Sequence, residues 1–385
     1  MTHSSKFITC LRQGFALLTL GLGGLVASAA NPAEVTVVQV APLTGVLAST
    51  GQQMVLGGKI YFDWINAQGG VHGAKIKHTV LDDGYKVDET VRLTREALVN
   101  PEVIALFGFA GTANISKLLT DGILDVGGAP LVAPYTGGEA LRSPFNPYIF
   151  HVRAGYVDET EHMVHQAATL GMTRIAVMYQ NDAFGKAGLA GVEAAVAKRK
   201  LKLVGTASYE RNTDEVQEAV KQIKATDPQA IIMISVNRST AAFAKQYRAA
   251  GGGGQLYNIS VVDAAELVKL AGLKAVHGLG ISQVVAFPFA AGKPVVREYQ
   301  SLMKKYGGGV PVSYTSFEEF LGAKVLVEGL RRAGPAPTRA KLVKALESMD
   351  NFDLGGTSVN YSPSNRIGSR FVEVTVIGTS GKLLR

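Results

Sequence analysis

Cysteine is nearly absent from this sequence, since Cys10 is the only one among 385 residues. A fold stabilised by disulfides is therefore excluded, and the chain must depend on a hydrophobic core of its own. Long hydrophobic runs are also missing after the first thirty residues. A membrane-spanning helix needs about 20 consecutive apolar residues, so this later part of the chain is not expected to span a membrane.

Motifs of the common enzyme classes are missing as well. There is no G-x-S-x-G elbow and no phosphate-binding loop ending in Gly-Lys-Ser/Thr, and GLGISQ has Gln283 in place of the last glycine of a dinucleotide motif. His162 and His165 have helical spacing, but a metal site needs a third ligand. Asp82 and Asp83 fit a turn better than acid–base catalysis, because neighbours on a strand point to opposite faces. The sequence predicts binding without catalysis, and no metal or cofactor.

The sequence carries a formal charge of +8 but has no basic stripe. Lysines and arginines are scattered with acids between them, and aromatic residues are not interleaved with a basic cluster. This pattern is typical of a solvated surface, so nucleic acid is not expected as a partner.

The first 29 residues have the order of a secretory signal peptide. Lys6 and Arg12 form a basic region, an apolar run extends from Phe15 to Val26, and small residues at 27–29 precede a cleavage point near Ala29 or Ala30. The alternative is an N-terminal membrane anchor, for which a run of about a dozen residues is short. Export with cleavage is favoured, and it would leave 385 − 29 = 356 residues without cysteine.

Strand-like and helix-like segments alternate along most of the chain. The β-branched run VTVVQVAP precedes a helical stretch from Gly51 to Ala67, and the same alternation begins again after Pro147. Strands joined by helices through short loops require parallel sheets that are covered on both faces. The sequence therefore predicts an α/β fold with two doubly wound lobes.

The end of the chain does not follow this alternation of strands and helices. Helices are predicted at 295–306, 314–333 and 338–348, and a β-hairpin or meander follows them. The helices would return to the first lobe and the last strands to the second, so that several chain crossings form a hinge beside a ligand cleft. The predicted boundaries are 1–29 for the signal peptide, 30–152 plus 283–357 for lobe 1, and 153–282 plus 358–385 for lobe 2.

Ligands of open α/β sheets bind beyond the carboxyl ends of the strands, so the turns after strands form the candidate site. In ALFGFAGTANISKLL, from Ala105 to Leu119, a glycine turn leads into a helix whose free backbone N–H groups attract an anion. These turns are rich in hydroxyl groups and glycine, which suits a small polar ligand, although each Ser or Thr is alternatively a helix cap. They supply Thr50, Ala110, Thr112, Tyr135, Thr136, Gly137, Phe184, Asn237 and Asp263.

A series of segments resembles one known family in order and spacing. These segments are APLTGVLASTGQQMVLGGKIYFDW, NAQGGVHG, FGFAGTANI, APYTGGEALRSPFNPYIFHVRAGYVDET, IAVMYQNDAFGKAGLAGV and FDLGGTSVNYSPSNRIGSRFV. They are similar to the periplasmic binding proteins of the leucine/isoleucine/valine-binding type, the substrate-binding subunits of ABC importers with the type I fold. The resemblance covers nearly the whole mature chain.

The resemblance implies a periplasmic monomer that closes around a small-molecule carboxylate and delivers it to an inner-membrane ABC permease. Closure by hinge motion would make the two lobes share the ligand. Two other functions stay open. The same fold serves ligand sensors for chemotaxis or regulation, and an α/β scaffold can also carry a secreted hydrolase.

The resemblance also assigns roles to single residues. It places the ligand carboxylate on Thr112 and a second anchoring turn on Tyr135, Thr136 and Gly137. Thr50 stands where branched-chain binders carry an aromatic residue, which makes the pocket roomier there. Phe184 stands where the family usually has a tyrosine, and it cannot donate a hydrogen bond.

One departure from the family concerns the charge of the ligand. In LYNISVVDAA, Val261 takes the place of the acid that holds the ammonium of amino-acid ligands, and Asp263 lies two residues further on. An unpaired buried charge is costly, so an amino acid is expected only if Asp263 reaches the ligand. Otherwise we expect an aromatic or other organic acid, with its body against Phe184 and walled by Tyr85 and Tyr156.

Overall fold

The first half of the chain builds a parallel five-stranded sheet in the computed structural model, which describes residues 34–385. Its elements in chain order are β1 (Glu34–Ala41), α1 (Ala48–Ala67), β2 (Lys75–Asp82), α2 (Val87–Val99), β3 (Val103–Phe107), α3 (Thr112–Thr120), α4 (Ile123–Gly127), β4 (Leu131–Val132) and β5 (Ile149–Phe150). The strand order is β2-β1-β3-β4-β5, so β1 lies between the two strands that follow it in sequence. Seven of the eight residues of β1 are buried, because helices cover both faces of the sheet.

The second half repeats the same arrangement. Its elements are α5 (Tyr156–Thr169), β6 (Arg174–Gln180), α6 (Ala183–Lys198), β7 (Lys202–Tyr209), α7 (Gln217–Ala225), β8 (Ala230–Ile234), α8 (Asn237–Ala249), β9 (Gln255–Asn258), α9 (Ala264–Ala271), α10 (Leu273–Val276) and β10 (Gly280–Gln283). Here β6 lies between β7 and β8, so in each sheet the strand order reverses next to the first strand, although these strands themselves are parallel. Ligands bind at such switch points, beyond the carboxyl ends of the strands.

The last part of the chain is shared between the two sheets. It contains α11 (Pro294–Tyr306), α12 (Tyr314–Ala333), α13 (Arg339–Glu347), β11 (Phe352–Asp353), β12 (Ser358–Val359), β13 (Glu373–Ile377) and β14 (Leu383–Leu384). Strand β13 pairs antiparallel with β10, and β14 with β13, which extends the second sheet to seven strands. Helix α12 packs instead on the first sheet, where Phe317 and Phe320 join the core of Phe107.

We call lobe 1 the five-stranded sheet with α1–α4 and α11–α13, and lobe 2 the seven-stranded sheet with α5–α10. The chain passes between the lobes after β5, after β10 and again before β13. The predicted α/β fold with two doubly wound lobes is confirmed, whereas the boundaries at 152, 282 and 357 stay predictions. Among the described helices, none combines the length and the apolar character needed to cross a membrane. The predicted signal peptide lies outside the described residues.

Glycine allows helices α1 and α12 to pack closely within lobe 1. A β-carbon on Gly57 would lie 2.1 Å from the carbonyl oxygen of Ser316, which is closer than any real contact. The two backbones therefore approach without a side chain between them. This close contact fixes the start of α12 beside the middle of α1, and the first turns of both helices line the space between the lobes.

Candidate ligand-binding site

The turn after β3 delivers Thr112 to the start of α3, as predicted. Gly111, the residue before the helix, has a φ of 95°, a conformation that strongly favours glycine. The first helical turn is Thr-Ala-Asn-Ile and carries no charge. Its first backbone N–H groups have no partner within the helix, and the positive end of the helix dipole lies at this turn.

A chain of hydroxyl groups runs from Thr112 towards lobe 2. The Thr112 and Thr136 Oγ1 atoms lie 2.7 Å apart, and Thr136 Oγ1 lies 3.3 Å from the Tyr156 hydroxyl. Thr136 also accepts the backbone N–H of Gly138 at 3.1 Å. The Tyr156 ring meets the Phe184 ring edge to face, with centroids 5.5 Å apart. Polar groups of lobe 1 thus meet an aromatic pair of lobe 2.

The turn after β4 holds the other predicted residues of this cluster. Tyr135 pairs with Ala110 in an isolated parallel bridge that joins the two turns of lobe 1. Gly137 packs against Tyr156, because a β-carbon there would lie 2.6 Å from the ring. The structure therefore brings together eight of the predicted residues: Tyr85, Ala110, Thr112, Tyr135, Thr136, Gly137, Tyr156 and Phe184.

Three further predicted residues form a second group beside a cavity of about 360 Å³ between the lobes. The Asn237 side-chain amide donates to Thr50 Oγ1 at 3.3 Å, across the cleft. Asn237 also accepts the backbone N–H of Asp263 at 2.8 Å. Thr315 connects the two groups, because it lines this cavity and its Oγ1 lies 3.0 Å from the Tyr135 hydroxyl.

Asp263 has a structural task of its own in this group. Its carboxylate caps α9 by accepting the backbone N–H of Glu266 at 2.9 Å. Burial raises its pKa, because the charged form is desolvated. Val261, which the sequence resemblance aligns with the family's acid, is buried among the apolar residues that include Phe184.

The floor of the cleft is a buried ion network centred on Arg153, in the first crossing between the lobes. Its guanidinium lies 3.1 Å from Glu159 of lobe 2 and 3.3 Å from Glu318 of lobe 1, and it contacts the Ser260 hydroxyl. The same guanidinium lies 5.1 Å from the centroid of the Tyr135 ring. Burial raises the pKa of Glu318 to about 7, although Arg153 acts to lower it.

Sequence reasoning missed two arginines at this site. Arg211 follows β7 by two residues and crosses the cleft, so the strand-exit rule that selected the other residues would also have found it. Arg153 gives no such signal, because one of the two acids that it pairs with, Glu318, lies 165 positions away in the sequence. No group of three or more potential metal ligands occurs within residues 34–385.

Comparisons with known proteins identify the family to which the chain belongs. Residues 34–382 match the periplasmic binding protein family, and the chain belongs to this family. A substrate-binding periplasmic protein from Ralstonia solanacearum is 38% identical, with a TM-score of 0.87 over 91% of this chain and 99% of that one. An extracellular ligand-binding receptor from Verminephrobacter eiseniae is 29% identical, with a TM-score of 0.85 over 92% of this chain and 100% of that one.

A further relative is named for a class of ligand. The Leu/Ile/Val-binding protein homolog 7 of Brucella suis is 26% identical over 367 residues, which cover 90% of this chain and 88% of that protein. The family predicted from the sequence segments is therefore confirmed.

Proposed function

We propose that this protein is the periplasmic solute-binding subunit of an ABC importer. It captures a small carboxylate-bearing ligand between its lobes and delivers it, as a monomer, to an inner-membrane permease. The observation that carries the proposal is the hydroxyl chain of Thr112, Thr136 and Tyr156, which begins at an uncharged helix start in lobe 1 and ends at an aromatic pair in lobe 2.

The start of α3 supports a carboxylate as the ligand's anchoring group. Free backbone N–H groups and hydroxyl donors stabilise an anion, and charge-assisted hydrogen bonds are stronger than neutral ones. The Thr112 and Thr136 hydroxyls contact each other at 2.7 Å, and a ligand oxygen would replace that contact. Binding of this kind forms no covalent bond and is reversible.

The neighbourhood of Val261 and Phe184 favours a ligand without an ammonium group. Both side chains are buried and apolar, and the carboxylate of Asp263 is engaged in capping α9. An aromatic or other organic acid therefore suits the site better than an amino acid. An amino acid remains the alternative if Asp263 leaves its cap to meet the ammonium.

A substitution of Thr112 tests the proposal. We expect Thr112→Ala to weaken binding of the molecule released from the native protein by about ten- to a hundred-fold, the value of one hydrogen bond to a charged group. Calorimetric titration measures this affinity. Thr120→Ala, at the exposed far end of α3, is the matched control and should bind normally. Unchanged affinity of Thr112→Ala, at a normal melting temperature, would contradict the assignment.

A further inference from the structure

Arg211 joins the two lobes directly at the edge of the site. One guanidinium nitrogen lies 2.6 Å from the Asp182 carboxylate within lobe 2. The other donates to the Tyr85 carbonyl at 2.7 Å and to the Asn114 side-chain oxygen at 2.6 Å, and both of these acceptors belong to lobe 1. One planar cation therefore holds an acid of its own lobe and two acceptors of the opposite lobe.

The same guanidinium covers the ring of Tyr85, 3.7 Å from its centroid. A β-carbon on Gly111 would lie 2.8 Å from this ring, so the ring packs against the turn that precedes α3. The Tyr85 hydroxyl accepts the Gln180 side-chain amide of lobe 2 at 3.3 Å. Tyr85 thus lies between Arg211 and the turn that presents Thr112.

The acceptors in lobe 1 are held in position by lobe 1 itself. Tyr85 has a left-handed φ of 62°, and its backbone N–H donates to Asp83 at 2.9 Å. The Asn114 amide nitrogen donates to Thr90 Oγ1 at 2.7 Å, which leaves its oxygen turned towards Arg211. Lobe 1 therefore offers a prepared docking point for the guanidinium.

We propose that Arg211 is a positioning residue that latches lobe 2 onto lobe 1 and holds Tyr85 over the start of α3. The chemistry allows the latch to open. Asp182 keeps the cation paired whether or not the lobes touch, and the acceptors on lobe 1 are neutral, so separation leaves no bare charge behind. Charged donors nevertheless make these contacts stronger than neutral hydrogen bonds, which favours the closed state.

Cross-linking of the lobes tests the latch in protein that has been denatured, separated from its bound molecule and refolded, so that no ligand is present. The double variant Thr50→Cys, Asn237→Cys places two thiols where the native side chains meet across the cleft. The sequence has no cysteine after Cys10, so these would be the only thiols in the folded lobes. The rate of cross-linking by oxidation or a short bifunctional thiol reagent then reports the closed fraction. We expect Arg211→Ala to lower the cross-linking rate at least about tenfold. Arg211→Lys keeps the positive charge but lacks the planar guanidinium with its several N–H donors, so it should lower the rate less.

Arg174→Ala is the matched control, because Arg174 pairs with Asp227 at 3.0 Å within lobe 2, at the amino-terminal end of β6 and away from the cleft. Its cross-linking rate should equal that of the parent pair. Equal rates for Arg211→Lys, Arg211→Ala and the parent would overturn the latch, and so would a parent pair that never cross-links. Because no ligand is present, failure of carboxylate binding leaves this result unaffected, and the two proposals fail separately.

Discussion

The ion network at the floor of the cleft offers a direct test of how the lobes are held together. Replacing Arg153 with Met removes the cation and keeps most of the side-chain volume. The carboxylate of Glu159 would retain the Ser260 backbone N–H at 2.8 Å and the Ser282 hydroxyl at 2.6 Å. Glu318 would be left without its cation, since no other described residue forms an ion pair with it.

The size of the effect follows from burial. The side chains of Arg153 and Glu159 are fully buried and that of Glu318 is 4% exposed. Removing one partner of a buried ion pair costs about 3–5 kcal/mol, because the remaining charge loses its compensation. The entropy of unfolding is about 2.1 cal/mol/K per residue, or about 0.7 kcal/mol/K for about 350 residues. Dividing the lost free energy by this entropy gives a fall in melting temperature of roughly 4–7 °C.

A melting curve followed by circular dichroism measures this shift at pH 7. Glu318→Gln is the matched control, because a carboxyl with a pKa of about 7 is already half protonated there and glutamine is its neutral isostere. We expect the control to melt about 4 °C above the parent, because deprotonation of the buried Glu318 has already cost the parent about 3 kcal/mol at pH 7. An Arg153→Met variant that melts within about 2 °C of the parent would show that these buried carboxylates need no cation, and so would equal losses of stability in the two variants.

Two more predictions concern the same cleft. Because burial raises the folded-state pKa of Glu318 from 4.5 to about 7, the folded protein holds this proton more tightly, and the parent should lose about 3 kcal/mol relative to Glu318→Gln as the pH rises from about 4 to 8. Urea unfolding at both pH values measures the difference, and parallel pH profiles would count against it. Gly111→Ala should lower stability by about 1–3 kcal/mol and abolish ligand binding, because its β-carbon would meet Asn114 at 2.5 Å and Tyr85 at 2.8 Å at a φ of 95°. Thermal melting and titration check this, and a variant with normal affinity would show that the turn tolerates a side chain.

Much of the fold could be predicted because local patterns determine it. Buried β-branched runs such as β1 and amphipathic helices such as α11 alternate in the sequence itself, and short loops leave parallel sheets as the solution. Hydroxyl-rich turns at strand ends also led to Thr112 and Thr136, which the structure places 2.7 Å apart. Their role in ligand binding stays a prediction.

The contacts between the lobes could not be predicted from such patterns. Arg211 meets Asn114, 97 positions away, and Arg153 meets Glu318, 165 positions away. These pairs depend on how the hinge sets one lobe against the other, and no periodicity in the sequence encodes that angle. The division of the predicted residues into a buried cluster around Thr112 and a cavity group around Thr50 has the same origin.

Whether the cleft holds a small carboxylate can be measured on protein purified from the periplasm. The protein is denatured, and the molecules that it releases are identified by mass spectrometry. We expect one released molecule per chain that carries a carboxylate and an apolar or aromatic body, and that binds again when it is titrated into refolded protein. A released ligand without a carboxylate would contradict the account. So would the absence of any released ligand together with a melting temperature that no aromatic, aliphatic or amino-acid carboxylate raises.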